Sequence, residues 1–364
     1  MSKKIKTEGI KYIGSKLKII PYILETIKEL PIKTVLDGFS GTTRVSQALA
    51  QSGYDVTSND ISEWSYVFGN TFLLAKKDKT YYQKYIDHLN ELEGYEGWFT
   101  KNYGGHDNNV RKNPYQYKNT LKLDAIRNEI DRLNLDEIDK SVLITSLIFA
   151  LDKVDSTIGH YAAYLSNWSP RSYNDLYLKV PNFVPTSGNH TVLKGDIFDS
   201  IKDRYFDLAY YDPPYGSNNE KMPPSRVRYA SYYHIYTSVV LNDKPDIFGK
   251  ANRREDSRDT TSSSVFEEYK KNEEGHFIAT EAIRKLIQET NAKFILFSYS
   301  NGGRATEQEL KNIFNESGEL LKIVKIDYKK NVMSTMTWTN EWLNGDEKNV
   351  EFLFLIKKKW FYCN

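Results

Sequence analysis

The spacing of hydrophobic and polar positions changes character along the chain. "KLKIIPYILETIKE" at 16–29 predicts a helix with Pro21 in its early turns, where proline is best tolerated. "TVLD" at 34–37 predicts a short buried strand ending in an acid. A turn rich in small residues spans 38–43, Arg44–Gln51 predicts a helix closed by Gly53, and Tyr54–Ser58 predicts a second strand that ends at Asn59 and Asp60. Strand, turn, helix and strand in that order form a βαβ unit. It argues for an α/β core with a parallel sheet.

From residue 62 to about 187 this alternation is lost. Helical patterns at 79–93, 117–133 and 136–151 surround two irregular polar stretches, "YGGHDNNVRKNPYQYKN" and "HYAAYLSNWSPRSYNDLY". The alternation returns with strands at 190–194, 206–211 and 293–298 and helices at 230–241, 266–290 and 305–316. Strands near 319–327 and 350–357 read as an antiparallel pair finishing the sheet. The expected organisation is a core of 1–75 and 190–364, interrupted by a mainly helical insert at 76–189.

Composition adds bounds. The 364 residues suffice for one large or two ordinary domains, and 40% apolar with 27% charged residues is ordinary for a soluble protein. No apolar run approaches a membrane span, and the lysine-containing start lacks the apolar stretch of a secretory signal. The single cysteine, Cys363, excludes an internal disulfide and a cysteine metal cluster, and points to a cytoplasmic protein. The six histidines have no ligand spacing, so no metal is assigned. Fifty basic and 48 acidic side chains leave a net charge of +2, so nucleic-acid binding would need a local basic surface.

Candidate chemistry gathers at the predicted strand ends. Asp37, followed by Gly38 and Gly41 and then a helix, puts an acid and backbone N–H groups at the carboxyl edge of the sheet, where open α/β folds bind ligands. Asp60 ends the next strand, where a carboxylate can accept hydrogen bonds from the ribose hydroxyls of a nucleoside. The acid in the first turn would repel a pyrophosphate, which favours S-adenosylmethionine, a cationic cofactor without phosphate. Asp196 in "GDIF" either accepts a hydrogen bond from the cofactor's adenine or caps the short helix behind it. "LAYYDPPYG" runs a buried strand into Asp212-Pro213-Pro214-Tyr215, whose two prolines remove two backbone donors and force an extended turn.

"IKYIGSK" (10–16), "LDGFSGTTRVSQAL" (36–49), "SND" (58–60), "GDIF" (195–198) and "DPPYG" (212–216) occur in an order that resembles the alpha group of adenine-N6 DNA methyltransferases. "YHIYTSVVLNDKPDIFGKANRR" (233–254) and "FILFSYSNGG" (294–303) resemble its FokI-related branch in particular. The resemblance implies a Rossmann-like, S-adenosylmethionine-dependent methyltransferase core with an inserted target-recognition domain. It implies cofactor contacts from Tyr12, Gly14 and Lys16, from Asp37, Phe39, Gly41, Thr42 and Thr43, from Asp60 and Ile61, and from Asp196, Ile197 and Asp212. Thr43 stands where much of the group has a second glycine.

The same resemblance makes Asp212, Pro213, Pro214 and Tyr215 catalytic. The adenine amine is a poor nucleophile because its lone pair is delocalised into the ring. The Asp212 carboxylate and Pro213 carbonyl would accept its hydrogens and stabilise the positive charge that develops on nitrogen. Tyr215 would stack on a base flipped out of the duplex. Asp in the first motif position favours adenine N6.

Target reading is expected from 76–189, assisted by the loop 217–265, with Arg111, Arg226, Arg228, Tyr229, Tyr328, Lys329 and Lys330 as DNA contacts. The expected partner is double-stranded DNA, with a cognate restriction endonuclease acting on the same site, and the protein is expected to be a monomer or weak dimer. An RNA adenine-N6 methyltransferase and an orphan or phage DNA methylase are the alternatives. A non-catalytic module would not need Lys16, Asp60, Asp212 and Tyr215 together.

Overall fold

The computed structural model describes residues 5–106, 113–184, 186–216, 228–258, 264–328 and 349–359. They form two compact units, one of residues 1–17, 40–195 and 229–261, the other of 18–39, 196–228 and 262–364. The longer strands are β1 (Thr34–Asp37), β2 (Asp55–Asp60), β3 (Thr191–Lys194), β4 (Phe206–Tyr211), β5 (Ala292–Ser300), β6 (Gly318–Tyr328) and β7 (Asn349–Lys358).

The second unit carries five of them in the order β6-β7-β5-β4-β1. β1 and β4 run parallel with Asp37 opposite Tyr210, and β4 and β5 run parallel with Tyr211 opposite Phe297. β7 lies antiparallel between β5 and β6, the pair expected from the sequence. β4 is buried at five of its six positions, as a central parallel strand covered on both faces must be. Helices Ile278–Glu289 and Glu307–Ser317 supply Leu286, Ile287, Ile313 and Phe314 to a core shared with Phe297 and Phe354. The second of these helices starts at a capping box of Thr306 and Glu309.

One helical expectation fails in this unit. Only 278–289 of the predicted 266–290 is α-helical, preceded by a single 3-10 turn at Val265–Glu267. Between them the Asn272 side chain accepts the N–H groups of Glu274 and His276, at 3.1 and 2.9 Å, and Gly275 takes a φ of +86°. That local turn satisfies backbone donors a helix would otherwise use.

The first unit holds the parallel pair β2–β3, with Asp60 opposite Lys194. Helices Arg44–Gln51, Glu63–Gly69, Lys79–Glu91, Trp98–Tyr103, Tyr117–Arg132, Glu137–Val154, Tyr229–Tyr232 and His234–Leu241 belong to it. Glu137–Val154 is apolar on nearly every side and buried accordingly, and it runs through a core that includes Trp64, Phe68, Tyr82 and Phe149. Its first turn is capped by Asp136, whose carboxylate accepts the Asp139 N–H at 2.8 Å. The predicted helix 230–241 is broken at Tyr233, whose backbone (φ −118°, ψ 23°) leaves helical values. Residues 40–195 belong to one compact unit.

Candidate functional site

In the first unit the loop 10–16 is built from aromatic contacts. The Tyr12 ring stacks on Tyr233 and Tyr229, with centroids 5.0 and 5.4 Å away, and tilts against Trp64 at 5.6 Å. Tyr233 Oη accepts the Ile13 N–H at 2.9 Å, and Tyr229 Oη donates to the Ile13 carbonyl at 3.4 Å. Gly14 takes a φ of +88°, and Lys16 Nζ donates to its carbonyl at 3.2 Å. A Cβ on Gly41 would lie 3.4 Å from the Tyr12 ring, so the expected loop and turn are neighbours.

The turn itself is held from β2. Ser40 N–H donates to the Asn59 carbonyl at 2.9 Å, and Gly41 N–H donates to Asp60 Oδ2 at 2.8 Å. Asp60 Oδ1 accepts the Ser62 N–H at 2.9 Å. Burial raises the Asp60 pKa, partly offset by these N–H donors. Thr42 and Thr43 are buried, whereas Ile61 is 46% exposed beside Asp60. Thr43 adopts the left-handed conformation (φ 57°, ψ 11°) that a glycine would take without penalty. Its Oγ1 donates to the Thr42 carbonyl at 2.8 Å and accepts from Gln47 Nε2 at 3.1 Å.

Three helix residues to which the motifs assign no role hold the N-terminal segment. Arg44 donates to the carbonyls of Thr7 and Gly9, both at 2.8 Å. Gln47 exchanges two 2.9 Å hydrogen bonds with the Glu8 backbone, and Gln51 does the same with Lys6 at 3.3 and 2.7 Å. Positions 44, 47 and 51 lie on one face of an α-helix, a spacing visible in the sequence once a backbone partner is suspected.

In the second unit Asp37 lies opposite Tyr210 on the neighbouring strand, and Asp212 follows Tyr210 by two residues. Asp37 is 1% exposed and paired in register with Tyr210. Burial, with Asp212 and Asp37 adding repulsion, holds the Tyr210 phenol well above its usual pKa. A Cβ on Gly38 would come within 2.5 Å of the Tyr211 ring, so only glycine fits there. Phe39 meets Tyr211 and Phe266 edge-on, with Phe266 stacked on Phe198. Asp196 caps helix Ile197–Ile201 through the Phe198 N–H at 2.9 Å, and Ile197 is buried.

Pro213 is buried, while Asp212, Pro214 and Tyr215 are partly exposed. The Tyr215 hydroxyl donates to Asp212 Oδ1, lies 2.5 Å from Glu351 Oε1 and 3.2 Å from Ser298 Oγ. Ser298 Oγ also donates to Glu351 Oε1, at 2.8 Å. Burial, then the nearby Asp212 and Glu351 charges, pushes the Tyr215 phenol well above its usual pKa. Its ring packs on Tyr299 at 4.6 Å, and its carbonyl accepts the Arg304 N–H at 3.0 Å. Neither Glu351 nor Arg304 stood out in the sequence, because they lie far along the chain from the tetrapeptide.

Arg228 is 4% exposed in the second unit. The backbone of Tyr328 ends β6, and Arg111, Arg226, Lys329 and Lys330 lie outside the described residues. Among the described residues no cluster of His, Cys, Asp and Glu is arranged to hold a metal ion, and no helix is long and apolar enough to cross a membrane.

Parallel strands ending in acids, a glycine-bearing turn and an Asp-Pro-Pro-Tyr segment define an α/β protein of the methyltransferase type. The chain belongs to the D12 class N6 adenine-specific DNA methyltransferase family, which it matches over residues 12–300. It is 28% identical to the modification methylase StsI of Streptococcus sanguinis, over 98% of this chain and 53% of that protein. It is 27% identical to the type II methyltransferase M.FokI of Planomicrobium okeanokoites, over 88% of this chain and 49% of that protein. Identity to the type II methyltransferase M.NlaIII of Neisseria lactamica is 26%, over 88% of this chain and 91% of that protein. The chain thus spans about half the length of the first two relatives.

Proposed function

We propose that this chain methylates the N6 amino group of an adenine flipped out of duplex DNA, using S-adenosylmethionine, as the modification enzyme of a restriction–modification system. The observation that carries this reading is Asp212, held at the carboxyl end of β4 by the Tyr215 hydroxyl, in a chain of the D12 class. A cognate endonuclease is the proposed partner, and a monomer or weak dimer the proposed state.

The residues present fit a cationic cofactor without phosphate. The turn 38–43 contains no basic side chain, and the neighbouring Arg44 is committed to the carbonyls of Thr7 and Gly9. The cofactor supplies an electrophilic methyl group on a sulfonium. Asp60, held by the Gly41 and Ser62 N–H groups, would accept ribose hydroxyls at its remaining lone-pair sites. Tyr12, Gly14 and Lys16 would hold the methionine end with Asp37, Phe39, Gly41, Thr42 and Thr43, and Ile61, Asp196 and Ile197 the adenine. Asp196 has one oxygen engaged as a helix cap, which leaves the other for the adenine amine.

Asp212 and the Pro213 carbonyl would accept hydrogen bonds from the substrate amine and stabilise positive charge on its nitrogen. Pro213 and Pro214 keep this edge extended, and Tyr215 offers a ring to the base. Residues 76–189 would read the target, with Arg111, Arg226, Arg228, Tyr229, Tyr328, Lys329 and Lys330 contributing DNA contacts.

The test is transfer of labelled methyl from S-adenosylmethionine to unmethylated genomic DNA, with Asp212→Ala as control and mapping of modified bases. Methyl-adenine within one short recurring sequence is the expected result, with Asp212→Ala inactive yet still binding cofactor. Transfer to RNA alone would overturn the DNA assignment.

A further inference from the structure

We infer that Glu351, on the last strand of the sheet, is a positioning residue that acts on Asp212 through the Tyr215 hydroxyl. The inference rests on the proposed role of Asp212 and adds a component that no motif contains.

β7 places Glu351 opposite Ser300 of β5, so Ser298, two residues earlier, shares its face of the sheet. β4 and β5 are paired as far as Tyr211 and Phe297, and the next residues along the chain are Asp212, just past the end of β4, and Ser298. Three neighbouring strands thereby deliver an aspartate, a serine and a glutamate to one place, and Tyr215 turns its hydroxyl into it. Glu351 is 8% exposed. A carboxylate so buried is costly unless it is hydrogen-bonded, and Ser298 and Tyr215 are among its partners.

Proton counting gives the arrangement its consequence. A phenol has one hydrogen, and two carboxylates approach the same Tyr215 oxygen. The hydrogen points at one carboxylate at a time, so Glu351 decides how far Asp212 keeps it. With the hydrogen drawn toward Glu351, Asp212 is the stronger acceptor for a substrate amine. With Glu351 unable to compete, Tyr215 donates to Asp212 Oδ1 permanently and weakens Asp212 as an acceptor for the amine. Ser298 fixes which Glu351 oxygen takes part.

The experiment combines kinetics with a signal independent of turnover. Glu351→Gln should lower kcat about 10- to 100-fold, the size of effect expected for a misplaced catalytic group, while KM for cofactor and DNA stays nearly constant. Glu351→Asp should recover part of that loss. In the Tyr215→Phe background Glu351→Gln should add almost nothing, since the connecting hydroxyl is gone. The Tyr215 hydroxyl proton, observed by NMR in the free protein, should move in both Glu351→Gln and Asp212→Asn.

An unmoved proton signal in Glu351→Gln overturns the inference whatever the activity. So does an additive effect of Glu351→Gln on Tyr215→Phe, or a loss of kcat that follows loss of fold in melting experiments. Wild-type protein that transfers no methyl to DNA would instead overturn the functional reading, and the NMR signal would still report the shared hydrogen.

Discussion

The Tyr233 hydroxyl accepts the Ile13 backbone N–H at 2.9 Å, joining the break between two helical segments to the middle of the Tyr12–Lys16 loop. Tyr233 is 1% exposed, so Tyr233→Phe would leave that N–H without its partner at a cost of about 1–3 kcal/mol. The ring stack on Tyr12 would survive. Affinity for S-adenosylmethionine should fall about tenfold, equivalent to ~1.4 kcal/mol, and Tm should fall by a few degrees. Calorimetric titration checks it; an unchanged Kd would remove the loop from the cofactor assignment.

Thr43 occupies a left-handed position for which a β-branched residue is poorly suited. Thr43→Gly removes about 1–2 kcal/mol of backbone strain and forfeits two hydroxyl hydrogen bonds of roughly 1 kcal/mol each. The two nearly cancel, so stability should stay within about 1 kcal/mol of wild type. Thr43→Val keeps the strain and loses the bonds, and should be destabilised by about 1–3 kcal/mol. Denaturant unfolding ranks the pair; Val more stable than Gly would contradict this account.

Asp152 has its pKa pushed up to about 6, because burial outweighs the attraction of Lys11 while nearby Asp155 adds to the rise. The folded state therefore binds a proton more tightly than the unfolded chain. Protonation stabilises the fold as pH falls from about 7 toward 4, and the gain is lost as pH rises through 6. The contribution is at most about 3 kcal/mol. Asp152→Asn should flatten the dependence of unfolding free energy on pH across this window. A slope equal to that of wild type would assign the effect elsewhere.

Gly216 has a φ of +63°, and a Cβ there would come within 2.1 Å of the Arg304 guanidinium. Arg304 is 3% exposed and cannot swing into solvent without opening its surroundings. Gly216→Ala should therefore shift the turn that follows Tyr215 and abolish most activity. Arg304→Ala in the same chain should recover part of the stability lost to Gly216→Ala, a coupling measurable in a double-mutant cycle. Strict additivity would show that the close approach carries no energy.

Local regularities were legible in the sequence for physical reasons. β1 and β4 are short apolar runs that end in punctuation, and their predicted limits match the observed ones. Helix 44–51 is equally local, an amphipathic segment closed by a glycine. The extent of 266–290 was not legible, because Asn272 and Gly275 redirect a segment whose composition is compatible with a helix. Arg44, Gln47 and Gln51 look like ordinary helix residues until the backbone they hold is seen.

The sequence by itself determined the order of strands and turns, the acids at their ends, and the motifs that mark the D12 class, since each depends on residues adjacent in the chain. Only the tertiary structure decided which side chains share a proton or a carbonyl. Glu351 reaches Tyr215 across 136 residues, and Tyr233 reaches Ile13 across 220. Strand pairing and side-chain packing close those distances, and no local propensity encodes them.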